Sequence, residues 1–234
     1  MSRRAVVLTS IFVVTPVVVA LLWLGTWQVQ RLGWKTAQIE LREFNYAQEP
    51  VRLPTRDTQL ARAGWRRVFE TGAFEHDREF HLWSIRDGAA GYDILTPLQP
   101  DQGGGPVLVD RGWVPVDRKD PATRTAGQVA GQVTVTGFVR TDLDVPGPYT
   151  PDNEPEQNIW YVVDFPAMSA RDGTFYRPAI LVAVDTANPG GLPVGAAGLP
   201  ELRNTHLAYA ITWYGLALAA VVIWVLVLRR RPSA

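Results

Sequence analysis

Hydrophobic and polar positions divide the chain into three stretches. Residues 5–27 run to Trp27 without a charge, and residues 207–228 hold only apolar, hydroxyl-bearing or glycine residues. At 23 and 22 residues, each run is long enough to cross a hydrocarbon layer about 30 Å thick as a helix. Pro16 falls in the middle of the first run, where a membrane helix can absorb it as a kink. Between the runs, short segments rich in Val, Ile, Thr, Tyr, Phe and Trp alternate with Gly, Pro, Asp and Asn. That pattern predicts strands at 65–74, 80–84, 91–98, 106–115, 132–140, 158–165 and 177–184. A helical pattern continues from the first run to about Ala47, and a short one covers 165–172. Residues 186–203 are rich in Gly and Pro and predict an irregular return.

The charges at the edges of the apolar runs add an orientation. Arg3 and Arg4 precede the first run, and Arg229, Arg230 and Arg231 follow the second. The positive-inside rule then puts both termini in the cytoplasm, although Arg31 and Lys35 reduce the contrast. The first run exceeds the roughly 7–15 apolar residues of a signal peptide and continues into WQVQRLGWK with no small-x-small cleavage site, which predicts a retained anchor. The expected fold class is a membrane protein with two transmembrane α-helices flanking a β-rich α+β extracytoplasmic domain, its sheet in antiparallel order. The expected segments are a cytoplasmic N-terminus (1–4), helix 1 (5–27), the extracytoplasmic domain (28–206), helix 2 (207–228) and a cytoplasmic C-terminus (229–234). The intervening region is then periplasmic in a double-membrane bacterium or intermembrane in a mitochondrion, and the setting expected is a bacterial cell membrane. Trp23, Trp27 and Trp34 share one helical face by their spacing and suit an interfacial aromatic belt.

Composition narrows the chemistry. The 23 basic and 23 acidic residues cancel, which gives no electrostatic reason to expect a nucleic-acid partner. The cysteine count is zero, so disulfides, thiol nucleophiles, thiolate metal sites and covalent c-type haem attachment are excluded. With two methionines, a soft copper site has few donors. His76 and His81 lie in EHDREFHLWS, near Asp77, Glu79 and Ser84, but no GxSxG elbow accompanies them. GGGP at 103–106 lacks a following Lys-Ser or Lys-Thr and reads as a hairpin tip. DRGWVPVDRKD reads as a solvated loop of weakly paired charges. No catalytic constellation emerges, and an enzyme is not expected.

One residue stands apart. His206 precedes the second apolar run, behind the helix-capping residues Asn204 and Thr205. Helical spacing puts Tyr209, Ala210, Trp213 and Ala217 on its face, and Gly215 and Ala219 form a small-xxx-small pair suited to close helix approach. His206 has two readings. An interfacial histidine can hydrogen-bond water or lipid headgroups. Alternatively, a neutral imidazole flanked by aromatic and small residues can serve as an axial ligand of haem iron.

LGTWQVQRLGWK (24–35), GYDILTPL (91–98), LVDRGWVP (108–115) and NTHLAYAITWYGLA (204–217), in this order and with two spans, resemble the surfeit locus protein 1 family from end to end. The departures are small: Asp110 stands where the family commonly has Asn before RGWVP, and Asn204-Thr205-His206 stands in place of NNH. The resemblance implies a two-span, non-enzymatic assembly factor for an aa3-type cytochrome c oxidase. It would bind haem a and assist its insertion into subunit I, with haem a synthesis machinery as a further partner and lipid around the spans. It carries the family's proposed haem ligand onto His206 and its helix tryptophan onto Trp213. Tyr209, on the same face by spacing, completes the expected cofactor-binding set. The alternative is a non-haem scaffold that stabilises an oxidase assembly intermediate.

Overall fold

The computed structural model of the chain describes residues 3–143, 145–184 and 188–230. Met1, Ser2 and 231–234 of the expected cytoplasmic tails, Arg231 among them, lie outside the described residues, as do 186 and 187 of the expected irregular return. Two compact units result. One comprises residues 1–41 with 201–234, and the other is Arg42–Pro200.

The first unit is a pair of helices. Helix α1 runs unbroken over Arg3–Ala47 and contains Pro16. The C-terminal helix, α4, covers His206–Arg230. Contacts pair Thr36 with Asn204, Gln28 with His206 and Ser10 with Trp224. Rising numbers on α1 thus meet falling numbers on α4, and the helices are antiparallel. On α4 the shielded positions include His206, Ala210, Trp213, Ala217, Ala220 and Trp224. Their three-and-four spacing is that of a helix–helix seam. The opposing stripe includes Leu21, Gly25, Gln28 and Leu32. Close approach occurs at Gly25, where a Cβ would lie 2.8 Å from the Tyr214 ring. It does not occur at Gly215, where a Cβ would meet nothing within 4 Å; the small-xxx-small expectation fails because Gly215 lies off the seam. Trp23, Trp27 and Trp34 are all exposed, and the Arg31 guanidinium sits 3.9 Å from the Trp34 ring centroid.

The second unit is built on a mixed sheet. Its strands are β1 (Val51–Arg52), β2 (Arg67–Phe74), β3 (Phe80–Arg86), β4 (Ala89–Pro100), β5 (Val107–Pro115), β6 (Gln132–Arg140) and β7 (Ile180–Ala183), with a single-turn helix, α2 (Asp57–Leu60), between β1 and β2. They lie in the order β1-β2-β6-β7-β5-β4-β3, and a further β2–β4 pairing closes β2, β6, β7, β5 and β4 into a ring. The expected antiparallel order holds along most of it, but β1–β2 and β5–β7 are parallel. The parallel β5–β7 pair is possible because a long connection through β6 and a helix separates them. At the closure, a Cβ on Gly72 would fall 2.2 Å from the Gln99 carbonyl oxygen, so only glycine lets β2 and β4 approach there.

Alternation along β5 separates two of the hydrophobic clusters. Val107 and Val109 of β5 join Val68, Leu98, Val135 and Leu181 on one side. Leu108 between them turns to the other side, with Phe80, Phe138, Trp160, Met168 and Tyr176. That second core is covered by α3, which spans Phe165–Asp172 as predicted. The Asp164 carboxylate accepts from the Ala167 N–H at 3.0 Å, and Gly173 at φ +73° ends the helix. The GGGP segment is the β4–β5 hairpin tip and leads into a strand, so it has no phosphate-loop context. The strand expected at 158–165 does not form. Asn153 Oδ1 accepts from the N–H groups of Tyr161 and Val162, and its amide donates to the Val162 carbonyl. These side-chain bonds occupy the backbone groups a ladder would need, leaving only isolated bridges, from Ile159 to Glu154 and from Trp160 to Leu82.

Candidate functional site

The first turn of α4 is fixed from both sides. Asn204 Oδ1 accepts from the His206 N–H at 3.4 Å, while the Asn204 amide donates to Thr36 Oγ1 at 3.3 Å. The sequence-predicted cap therefore also ties α4 to α1. His206 Nδ1 lies 2.6 Å from Gln28 Oε1. An amide oxygen only accepts, so the ring donates Nδ1–H. In the neutral ring the lone pair then belongs to Nε2. Nε2 has no hydrogen-bond partner among the described residues and is not sealed from the surroundings.

Trp213, seven residues on, lies about 10 Å further along the same stripe. Its indole N–H is buried and without an acceptor among the described residues. Buried N–H groups are rarely left so, least of all in an apolar medium with no water to turn to. Tyr209 projects elsewhere, at 54 % exposure. Geometry thus brings His206 and Trp213 onto one seam and leaves Tyr209 on the outer surface. Gln28, absent from the sequence expectation, is the added member. It is 8 % exposed, and its spacing of three from Gly25 and four from Leu32 was the available signal.

The other histidines are engaged within the second unit. His76 Nε2 lies 3.0 Å from the Val129 carbonyl, to which it donates, and Nδ1 accepts from Arg111 at 3.4 Å. Burial, with the Arg111 charge adding to it, holds His76 below the usual imidazole range. His81 Nε2 is 2.8 Å from Glu79 Oε1, and Arg124 donates to the same oxygen. Burial opposes ionisation of Glu79, but the bonds from His81 and Arg124 outweigh it and hold its carboxyl below the ordinary range. Among the described residues neither imidazole has a serine, threonine or lysine as partner, and no cluster of three His, Asp or Glu could hold a metal ion.

The class defined here is an antiparallel helix pair joined to a closed mixed-sheet domain, with a histidine at the helix mouth. A family model, the SURF1 family, matches residues 16–218 and so takes in most of α1, the domain and the first half of α4. Surfeit locus protein 1 of Rattus norvegicus is 36% identical over 217 residues, 86% of this chain and 70% of the relative. The Homo sapiens protein of that name is 35% identical over 218 residues, covering 86% and 71%. The SURF1-like protein of Monosiga brevicollis is 36% identical over 222 residues, covering 88% and 83%. The chain belongs to the SURF1 family, known as cytochrome c oxidase assembly factors rather than enzymes.

Proposed function

We propose that the chain is a membrane-anchored assembly factor for an aa3-type cytochrome c oxidase, holding haem a at His206 for delivery to subunit I. The observation that carries this reading is the imidazole itself. It sits at the mouth of an apolar helix, with Nδ1 engaged by an amide oxygen and Nε2 without a partner among the described residues. The residues present fit a haem. A neutral imidazole is a common axial ligand, the orphaned Trp213 N–H can donate to a polar substituent of the macrocycle, and the exposed Tyr209 can flank a flat apolar group. When bound, haem would supply an iron centre that the His206 imidazole could ligate. The apolar tail of haem a favours a site whose walls are helix and lipid. Both helices are long and apolar enough to cross a membrane, and their most apolar stretches are almost unburied within the fold.

The test is the optical spectrum of full-length protein purified from cells that make haem a. A Soret band that is largely lost in His206→Ala is expected. Full haem retention in that variant would remove His206 as ligand. Oxidase subunit I co-purifying with a chain that never carries haem would favour the non-haem scaffold instead.

A further inference from the structure

Gln28 is a polar side chain on an apolar seam. It stands between Gly25 and Leu32, is 8 % exposed, and meets the imidazole of the opposite helix at 2.6 Å. An amide buried among apolar groups is costly unless it is hydrogen-bonded, so an unbonded Gln28 would disfavour the pairing of the two helices. The contact does not stand alone. Thr26 donates its hydroxyl to the Leu22 carbonyl at 2.9 Å, leaving its oxygen to accept from the Tyr214 hydroxyl at 3.1 Å. The Asn204 amide donates to Thr36 on the other side. These flanking bonds hold α4 in register against α1, and with it the place of the imidazole opposite Gln28.

An imidazole free in water favours its Nε2–H form, which would blunt the nitrogen that Gln28 does not engage. The Gln28 oxygen demands the opposite form. Second-neighbour acceptors of this kind orient histidine ligands and fix their tautomer in metal sites generally. We infer that Gln28 is a positioning residue that holds His206 in the Nδ1–H tautomer, so that the Nε2 lone pair is presented to an iron centre. The presentation to iron rests on the haem-holding reading above; the tautomer does not.

The experiment is therefore done first without haem. Full-length protein carrying 15N-labelled imidazole, in detergent micelles at a pH where the ring is neutral, reports the tautomer through its two nitrogen shifts. His206 is assigned by loss of its signals in His206→Gln. The wild type is expected in the Nδ1–H form. Gln28→Leu is expected to move His206 to the Nε2–H form, whereas Gln28→Glu, which offers only acceptor oxygens, keeps Nδ1–H. An Nε2–H wild type, or a Leu variant with unchanged shifts, would overturn the inference, and the wild-type spectrum decides even where the Leu variant does not fold. With haem added, Gln28→Leu is expected to bind about tenfold more weakly. Gln28→Glu should restore binding and lower the midpoint potential, a shift a merely structural contact would not produce. If the tautomer responds as described but the wild type takes up no haem, Gln28 still holds the imidazole and the haem reading falls. If haem binds at His206 equally well in the wild type and Gln28→Leu, the positioning role falls and the haem reading stands.

Discussion

Asp110 shows how one residue sets a pH response. It stands beside Arg111 and Gly112 on β5, its Oδ1 accepting from the Gly112 N–H at 2.9 Å. Burial pushes its carboxyl up to about 7, with the neighbouring Asp93 carboxylate adding to the effect. An unfolded aspartate titrates near 3.9. Between about pH 4 and pH 7 the folded state thus keeps a proton that the unfolded state has released, and stability falls as pH rises. Its contribution is complete below the unfolded value and gone above the folded one. Asp110 keeps some accessible surface, so a loss of about 1–2 kcal/mol between pH 5 and pH 8 is expected rather than the full linkage value. Asp110→Asn preserves the acceptor for Gly112, and should flatten the pH dependence and raise the melting temperature at pH 8. A melting curve as pH-dependent as the wild type would refute this. Gly112 itself sits at φ +117°, and a Cβ there would lie 2.1 Å from the Val194 carbonyl oxygen. Gly112→Ala should cost about 3 kcal/mol. Gly103→Ala, also at positive φ but with nothing within 4 Å, should cost about 1 kcal/mol. Equal melting temperatures for the two would show that the clash is relieved at no cost.

At the scale of elements, α3 tests how far a local signal carries. Its cap is a single carboxylate–N–H bond from Asp164 to Ala167. Asp164→Ala should cost about 1 kcal/mol, a fall of about 2–4 °C in melting temperature for a body of this size; no change would mean that the Met168 side of α3 is held by packing alone. This helix was legible in sequence because cap, Pro166 and Gly173 all mark its ends. The strands around Val68, Val107 and Val135 were legible from alternation. What alternation cannot convey is partnership. The parallel β5–β7 pair and the β2–β4 closure depend on contacts between distant segments, and NIWYVVDF has a strand's composition but is diverted by Asn153. The site divides the same way. His206 and its cap follow from local order, and Trp213 from helical spacing. Gln28 lies 178 residues from His206, and nothing local couples them. Gly215 misled because a small-xxx-small pair marks a surface fit for close packing without saying which surface is used.

For the whole molecule the open question is which side of a membrane the β-rich unit occupies. A chain with no cysteine is suited to answering it, because any introduced thiol is the sole one present. Tyr149 is 95 % exposed on the second unit, so Tyr149→Cys should present a thiol without disturbing a core. Ser233→Cys places one in the C-terminal tail, beyond the described residues. The basic residues outside each apolar run predict cytoplasmic ends. With the chain in a bacterial inner membrane, a membrane-impermeant maleimide added to intact spheroplasts should therefore label position 149, and label position 233 only after permeabilisation. The reverse pattern would put the β-rich unit in the cytoplasm. His206 would then lie at the cytoplasmic face. Labelling of both positions without permeabilisation would mean that only one helix spans. The antiparallel pairing of α1 with α4, which runs from Gln28 and His206 to Ser10 and Trp224, would then not persist across the bilayer. The expected pattern keeps that pairing within the membrane and puts the His206 end of α4 on the side of the β-rich unit.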